Sequence, residues 1–264
     1  MLIDFHTHCF PDALASRAIA QLSYAAGGLF PYTDGTADGL RERMRQEGVD
    51  YAAVMNIATN PHQMHKVNDF AASLAGADSR LIPFGSVHPD APDALDEVDR
   101  IASMGLRGIK FHPEYQGFYV DEERMRPLYR KISEKGLIVL FHAGCDLGFA
   151  PPYHGMPENM ARALRWLDTP VAAAHWGGIA AWDGVLSCLA GLPLYLDTSM
   201  GYACVPREAA LRIVEKHGTE RLLFGTDTPW HRAADELRFL GTLGLTDAEA
   251  EAVKSGNAAR LLGL

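Results

Sequence analysis

The sequence has no excess of positive charge and no long apolar segment. Its 264 residues include 24 Lys and Arg against 33 Asp and Glu, which gives a formal net charge of −9 at pH 7. Phosphate backbones select basic surfaces, so this balance argues against a nucleic-acid partner. No apolar run approaches the roughly 18 residues of a membrane span, and no charged segment with an apolar core opens the chain. We therefore expect no membrane segment, no export signal and a cytoplasmic location.

Cysteine is scarce, and the four cysteines form no Cys-x-x-Cys pair. Widely scattered cysteines predict reduced thiols rather than a disulfide framework, in keeping with a cytoplasmic protein. A glycine-rich phosphate loop after an early strand is also missing. Its absence argues against an open, doubly wound nucleotide-binding sheet.

Short apolar segments recur along the whole chain. Hydrophobic residues make up 48% of the sequence and charged residues 22%, which is typical of a globular protein with a large core. Almost wholly apolar strands are expected where parallel strands are buried on both faces. The eight predicted strands are Leu2–His6, Tyr51–Ile57, Leu81–Val87, Leu106–Phe111, Leu137–His142, Val171–His175, Leu194–Asp197 and Leu222–Phe224.

Helix-patterned segments lie between these strands, and several end at a glycine, as helix C-termini often do. Eight strand–helix units in a chain of this length predict one domain, residues 1–264, that folds as a (β/α)₈ barrel, or TIM barrel. Residues 11–36 are long for a first connection. We expect them to form a loop over a substrate.

The segment Asp4-Phe5-His6-Thr7-His8 ends the first predicted strand. Side chains alternate along a strand, so Asp4, His6 and His8 are expected to point the same way. Two imidazoles at this spacing can reach one metal ion, and histidine suits zinc and other first-row metals. A His-x-His pair alone is a weak signal.

Residues that can bind a metal recur at the ends of the other strands. Barrel enzymes carry their catalytic groups at the C-terminal ends of the strands. A single histidine there is usually a core residue, but five strand ends with such residues predict one site at one rim. These residues are His6 and His8, His112, His142, His175 and Asp227.

These segments resemble the amidohydrolase superfamily, specifically the amidohydrolase 2 branch, which includes metal-dependent hydrolases and the aminocarboxymuconate semialdehyde and resorcylate decarboxylases. The resemblance covers nearly the whole chain. It implies a metal held by His6, His8, His142 and Asp227, with His175 as a neighbouring or catalytic residue. The matching segments are Asp4–His8, Gly108–Lys110, Phe141–Gly144, His175–Gly178, Gly225–Pro229 and Asn257–Leu262.

The implied roles agree with elementary metal chemistry. Three imidazoles and a carboxylate can bind a divalent ion and leave room for water, whose pKa the ion lowers. Asp227 can accept the proton of that water. His175 can polarise the substrate oxygen or protonate the leaving group, and the alternative is a structural histidine bonded to a neighbouring strand.

Lys110 and His112 share one face of the fourth strand. In two-metal relatives a lysine on this strand is carbamylated and bridges the ions. The resemblance to a branch that uses one ion favours a single divalent metal, zinc, over that alternative. Lys110 is then expected to bind a substrate carboxylate or to pair with Asp4 or Asp227, and His112 to contact the substrate.

We therefore predict a metal-dependent hydrolase that acts on an amide, lactone or related carbonyl compound through a metal-bound water. The alternative is a metal-dependent non-oxidative decarboxylase, a carboxy-lyase on the same scaffold. A barrel that has lost catalysis would lack a ligand, and here the set is complete. The expected partner is a small-molecule substrate, and the sequence is compatible with a homo-oligomer. Aromatic loop residues such as Tyr115 and Trp230 could shape the substrate pocket.

Overall fold

Eight short parallel strands follow one another around the molecule. The structure is a computed structural model and describes residues 1–264. All eight predicted strands are present, and each is followed by helical structure. The strands are β1 (Ile3–Thr7), β2 (Tyr51–Met55), β3 (Leu81–Phe84), β4 (Gly108–Phe111), β5 (Ile138–Phe141), β6 (Val171–Ala173), β7 (Tyr195–Asp197) and β8 (Leu222–Leu223).

The helices lie between and after these strands, and none is long and apolar enough to cross a bilayer. Short 3₁₀ and π segments extend several of them. The α-helices are α1 (Asp12–Ala25), α2 (Ala37–Glu47), α3 (Met64–Ala77), α4 (Ala94–Ser103), α5 (Pro113–Gln116), α6 (Arg126–Glu134), α7 (Pro157–Ala163), α8 (Trp182–Gly184), α9 (Gly201–Cys204), α10 (Arg207–His217), α11 (Ala233–Leu240), α12 (Asp247–Glu251) and α13 (Asn257–Leu262).

The strands form two hydrogen-bonded sheets, β1 to β3 and β4 to β8. The sheets meet at two seams, one between β3 and β4 and one between β8 and β1. At the β3–β4 seam, the Gly85 N–H donates to the Gly108 carbonyl at 2.9 Å, and the Lys110 N–H donates to the Gly85 carbonyl at 2.8 Å. At the β8–β1 seam, the Phe5 N–H donates to the Phe224 carbonyl at 2.8 Å. These contacts place all eight strands in the order of a (β/α)₈ barrel, as predicted.

Two apolar clusters stabilise the barrel. A cluster of 12 buried residues fills its interior, where Phe5 and Phe84 meet edge to face with ring centroids 5.8 Å apart. A larger cluster packs the outer faces of the strands against the helices and includes Phe111, Phe141 and Trp176. Because apolar side chains fill the interior, polar side chains collect at the rim.

One expectation about β1 is wrong. Its pairing with β2 shifts between Asp4 and Thr7, so the two-residue alternation does not hold across this stretch. The Asp4 carboxylate instead accepts hydrogen bonds from the Thr226 N–H at 3.0 Å and the Thr226 hydroxyl at 2.7 Å. Asp4 therefore secures the β8–β1 seam and does not join His6 and His8.

The first connection also contains a helix that was not expected. Residues 11–36 were expected to form one long loop, but α1 occupies Asp12–Ala25. The segment is rich in alanine, a strong helix former, and follows Pro11 with an acidic residue in its first turn. Its apolar stripe is narrow, since only Ala15 and Ile19 are buried. Periodicity therefore gave little sign of it.

Candidate metal centre

His6 and His8 each use one ring nitrogen for a hydrogen bond inside the fold. The His6 Nδ1 lies 2.8 Å from Oδ2 of Asp197, and the His8 Nδ1 lies 2.8 Å from the main-chain oxygen of Met55. A carboxylate and a carbonyl only accept hydrogen bonds, so both rings carry their hydrogen on Nδ1. Each Nε2 therefore presents a lone pair, and these two atoms are 3.2 Å apart.

Asp227 adds a carboxylate oxygen to this pair. Its Oδ1 lies 3.1 Å from the His8 Nε2 and 3.5 Å from the His6 Nε2. None of these three atoms carries a hydrogen, so their closeness is repulsive unless a cation lies among them. Two nitrogens bound to one ion through bonds of about 2.1 Å lie about 3.0–3.4 Å apart. The donor set therefore fits one divalent metal ion.

Strained backbone surrounds this group. Asp227, His175, Trp176 and Met200 have positive φ values of 65°, 55°, 60° and 59°, and all four follow β6, β7 or β8. A residue with a side chain in this region costs about 1–3 kcal/mol, and such residues cluster at functional sites. Asp227 is held there by its N–H, which donates to the His6 carbonyl at 2.8 Å.

His142 and His175 lie beside the group. The His175 Nε2 is 3.2 Å from the His142 Nδ1, and the His175 ring stacks on the His6 ring with centroids 5.0 Å apart. His142 is thus at the predicted rim, but its nitrogens are not among the three atoms that converge. A ligand role for His142 requires its ring to turn or shift toward His6.

A second group of possible ligands fits a metal poorly. The His112 Nε2 and the His142 Nε2 lie 3.2 Å and 3.7 Å from Oδ2 of Asp146. The two rings stack face to face, with centroids 4.1 Å apart and planes inclined by 13°. An imidazole lone pair lies in the ring plane, so one ion cannot meet both rings favourably. Asp146, which the sequence analysis did not single out, instead pairs with His112.

Rings continue outward from His142 and form one wall of the rim. His112 meets Tyr115 edge to face at 4.6 Å, and Tyr115 meets Phe149 in the same way at 4.8 Å. Among the aromatic loop residues considered from the sequence, Tyr115 therefore lies next to the site. Trp176, which follows His175 directly, is buried, with its indole N–H bonded to the Thr198 carbonyl at 3.0 Å.

Lys110 is fully buried at the base of the site. Its Nζ lies 3.4 Å from the His6 Nε2 and within 4.0 Å of no carboxylate oxygen, so the expected pair with Asp4 or Asp227 is not formed. Burial lowers the pKa of Lys110 to about 8, although the charges of Asp197 and Asp227 oppose the shift. About a tenth of the amine is therefore neutral at pH 7, and the neutral fraction rises to about half at pH 8.

The site histidines favour their neutral forms. Burial is the main cause that lowers the pKa of four of them well below the usual value, and nearby positive charge adds to the effect. Neutral imidazole is the form that binds metals and accepts protons. These histidines are His6, His112, His142 and His175.

Sequence reasoning missed two buried residues, Asp197 and Ser199. Asp197 ends β7 and binds the His6 ring, and the Ser199 hydroxyl lies 2.8 Å from the His175 Nδ1. A signal for Asp197 was available, because a carboxylate that ends an apolar strand is the pattern that singled out Asp227. Nothing in the sequence distinguishes Ser199.

The fold and this rim define a TIM-barrel protein with a candidate metal centre at the C-terminal ends of its strands. A family model described as amidohydrolase, Amidohydro_2, matches residues 3–264, and the chain belongs to this family. The predicted resemblance is thereby confirmed. The family consists of enzymes, and both decarboxylases and hydrolases occur among the solved structures of this fold.

Solved structures similar to this chain share its fold across its length. An uncharacterised TIM-barrel protein from Bordetella bronchiseptica superposes with a TM-score of 0.79 at 21% identity, covering 99% of this chain and 98% of that one. 5-Carboxyvanillate decarboxylase from Sphingomonas paucimobilis superposes with a TM-score of 0.74 at 18% identity, covering 100% of this chain and 99% of that one. A putative 2-pyrone-4,6-dicarboxylic acid hydrolase from Pseudomonas putida superposes with a TM-score of 0.70 at 18% identity, covering 99% of this chain and 97% of that one. None of the curated proteins matches the chain.

Proposed function

We propose that the protein is a metal-dependent hydrolase that acts on an amide, lactone or related carbonyl compound. One observation carries the metal dependence. The Nε2 atoms of His6 and His8 and Oδ1 of Asp227 converge within 3.5 Å, and hydrogen bonds behind both rings leave no proton among them. Such a group is stable when a cation occupies its centre. His142, whose Nδ1 lies 3.2 Å from the His175 Nε2 beside this group, is the proposed fourth ligand.

The proposed cofactor is one divalent ion, zinc. Imidazole and carboxylate donors suit zinc, and they also suit manganese. A dihydroxybenzoic acid decarboxylase from Polaromonas, 14% identical over this fold, was solved with bound manganese, so manganese is the alternative. When bound, a divalent ion supplies Lewis acidity toward a carbonyl or carboxylate oxygen.

Asp227 and His175 are the proposed catalytic pair. Hydrolysis requires one group that takes a proton from water and one that returns a proton to the leaving atom. The Asp227 Oδ1 lies at the centre of the site and accepts the proton. His175 lies against His6 and His142, with its Nε2 3.2 Å from the His142 Nδ1; it takes up the proton that Asp227 accepts and then donates it to the leaving atom.

Lys110 and His112 are the proposed substrate contacts. The Lys110 amine is buried without a carboxylate partner, so an acidic substrate group would supply one. The same observation supports an alternative, because a neutral amine reacts with carbon dioxide to form a carbamate. A carbamate on Lys110 would be an anionic ligand for two ions. We favour one ion and a free lysine.

A decarboxylase is the second candidate. The wall formed by His112, Tyr115 and Phe149 presents ring faces and edges beside the site, which suits a planar aromatic acid. The similar fold of 5-carboxyvanillate decarboxylase is consistent with this choice. In that reaction His175 would deliver a proton to the ring carbon that loses carbon dioxide.

A labelling experiment separates the two reactions. Zinc-loaded and manganese-loaded protein are screened against lactones, amides and aryl carboxylic acids, and active substrates are then turned over in ¹⁸O water. Hydrolysis places heavy oxygen in the product carboxyl group. If every active substrate instead releases carbon dioxide, gains solvent hydrogen on carbon and acquires no heavy oxygen, the hydrolase proposal is wrong and the decarboxylase is supported.

A further inference from the structure

The end of β7 holds a buried hydrogen-bond network behind the site. We propose that Asp197 and Ser199 are positioning residues, which together hold His6 and His175 in the tautomer with hydrogen on Nδ1, so that the His6 Nε2 is available for metal binding and the His175 Nε2 for proton transfer. The catalytic half of this assignment rests on the proposed function. The tautomers themselves follow from the hydrogen bonds.

The Asp197 carboxylate is fully buried and accepts hydrogen bonds on both oxygens. Its Oδ2 faces the His6 Nδ1 at 2.8 Å. Its Oδ1 accepts from the His175 main-chain N–H at 3.1 Å, the Ser199 main-chain N–H at 3.0 Å and the Ser199 hydroxyl. The two oxygens thus serve two different rings, Oδ2 directly and Oδ1 through the serine.

Ser199 has one hydroxyl hydrogen, which it donates in a hydrogen bond to Asp197. A carboxylate offers no hydrogen, so the short contact between the Ser199 Oγ and the Asp197 Oδ1 requires the serine to donate. The same Oγ lies 2.8 Å from the His175 Nδ1. With its hydrogen already used, the oxygen accepts there, and His175 must carry a hydrogen on Nδ1.

The His175 Nε2 is therefore unprotonated in the neutral ring and lies 3.2 Å from the His142 Nδ1 at the edge of the site, available as a proton acceptor. Once Nε2 takes a proton, Ser199 and Asp197 lie behind the ring and stabilise the resulting imidazolium. The opposite tautomer would present an N–H to the site and could not accept a proton there. Holding a catalytic histidine in the correct tautomer has a large effect on turnover.

The Asp197 carboxylate acts on His6 directly and on His175 through Ser199. Two variants separate these two effects. Ser199→Ala removes the acceptor behind His175 and a 3.4 Å contact with the His6 Nδ1, but it leaves the 2.8 Å bond between His6 and Asp197 intact. Asp197→Asn replaces one acceptor oxygen with an N–H donor. Three donors already face Oδ1, so the amide nitrogen should turn toward His6, displace its hydrogen to Nε2 and abolish the lone pair that binds metal.

The test compares four variants with the wild type, loaded with zinc alone and also as zinc-free protein. Metal content per chain is measured by atomic emission, and ¹⁵N NMR of labelled histidine reports which nitrogen of each ring carries the hydrogen. Ser199→Thr keeps the hydroxyl and serves as the rescue. Thr198→Val, the neighbouring buried residue whose hydroxyl has no partner, is the matched control.

Ser199→Ala should retain zinc and lose the Nδ1–H signature of His175. With an active substrate, kcat should fall about 10²-fold, the lower end of what a general acid–base group contributes, while KM stays near the wild-type value. Ser199→Thr should restore both. Asp197→Asn should lose zinc while His175 keeps its tautomer.

An unchanged His175 tautomer in Ser199→Ala, or a loss of turnover in Ser199→Thr or Thr198→Val as large as that in Ser199→Ala, would overturn the proposal. The NMR and metal measurements need no turnover. If no amide, lactone or aryl acid is a substrate, the proposed function fails while the tautomer result still decides the positioning role. Should Ser199→Ala not fold, the tautomer and metal content of Ser199→Thr and Asp197→Asn decide it.

Discussion

The His8 Nε2 lies 3.1 Å from Oδ1 of Asp227, so the first and last strands of the barrel bring their polar ends together at one point. The His6 Nε2 lies within 3.5 Å of both atoms. Hydrogen bonds from the opposite side of each ring, to Met55 and Asp197, keep both lone pairs turned inward.

The first prediction concerns metal content. Purified protein should contain close to one divalent ion per chain, and a chelator should abolish activity. His8→Ala and Asp227→Ala should lose both metal and turnover, because each removes a converging ligand atom. His62→Ala, an exposed histidine outside the site, is the control and should change neither. Full activity in chelated protein would contradict the proposed metal dependence.

The second prediction separates ligand from proton carrier. His175→Asn should keep nearly normal metal content, since its Nε2 faces His142 and not the three converging atoms. Its kcat should fall by about 10²–10⁴-fold, as expected for loss of a general acid–base group. Metal content is measured on the same preparation as turnover. Outright loss of the ion would make His175 a ligand.

Lys110→Met provides the third prediction. Methionine keeps the volume of the buried side chain and removes its amine. With a free lysine that binds an acidic substrate, KM should rise at least tenfold while metal content changes little. With a carbamate, the variant should lose an ion instead. High-resolution density with an extra carboxyl group at Nζ, and two ions about 3.5–4 Å apart, would decide against the free lysine.

The fourth prediction is a pH dependence of stability that arises away from the site. His217 ends α10, its Nδ1 accepts from the Gly191 N–H at 3.1 Å, and burial lowers its pKa to about 4. An unfolded histidine titrates near 6.5, so between about pH 6.5 and 4 the unfolded chain binds more protons. The free energy of unfolding should therefore fall across this range as pH decreases.

A His217→Gln variant isolates that contribution. Glutamine has no titrating group, so the stability advantage of the wild type should shrink by about 1–3 kcal/mol from pH 7.5 to pH 4.5. Urea unfolding of chelated protein at both pH values measures the difference, in which the titration of the other histidines largely cancels. A difference independent of pH would contradict the assignment.

The strands and the main site residues were predictable because their signals are local. Each strand is an apolar run of a few residues. His142 and His175 follow such runs directly, and Asp227 follows one after two residues. The helix α1 escaped prediction because only Ala15 and Ile19 of its face are buried. The register shift after Asp4 escaped because it depends on pairing with β2, which alternation within β1 cannot report.

The network behind the site was not predictable for a related reason. Ser199 matters through the direction of one hydroxyl hydrogen, which is set by Asp197 and read by His175. Neither the spacing nor the residue types reveal that direction. Likewise, Asp146 meets His112 only because the loops after β4 and β5 fold toward one another.

The β8–β1 seam connects metal binding at the candidate centre to the stability of the barrel. Across this seam the chain has isolated backbone contacts where the rest of each sheet has continuous ladders. His6 and His8 lie on the β1 side of the seam and Asp227 lies on the β8 side, so an ion bound to all three would link the first strand to the last. Binding that favours the folded state adds to its stability in proportion to the logarithm of ligand concentration. Chelation should therefore loosen the barrel at this seam first, and amide hydrogen exchange at Phe5 and Asp227 should be the earliest to accelerate.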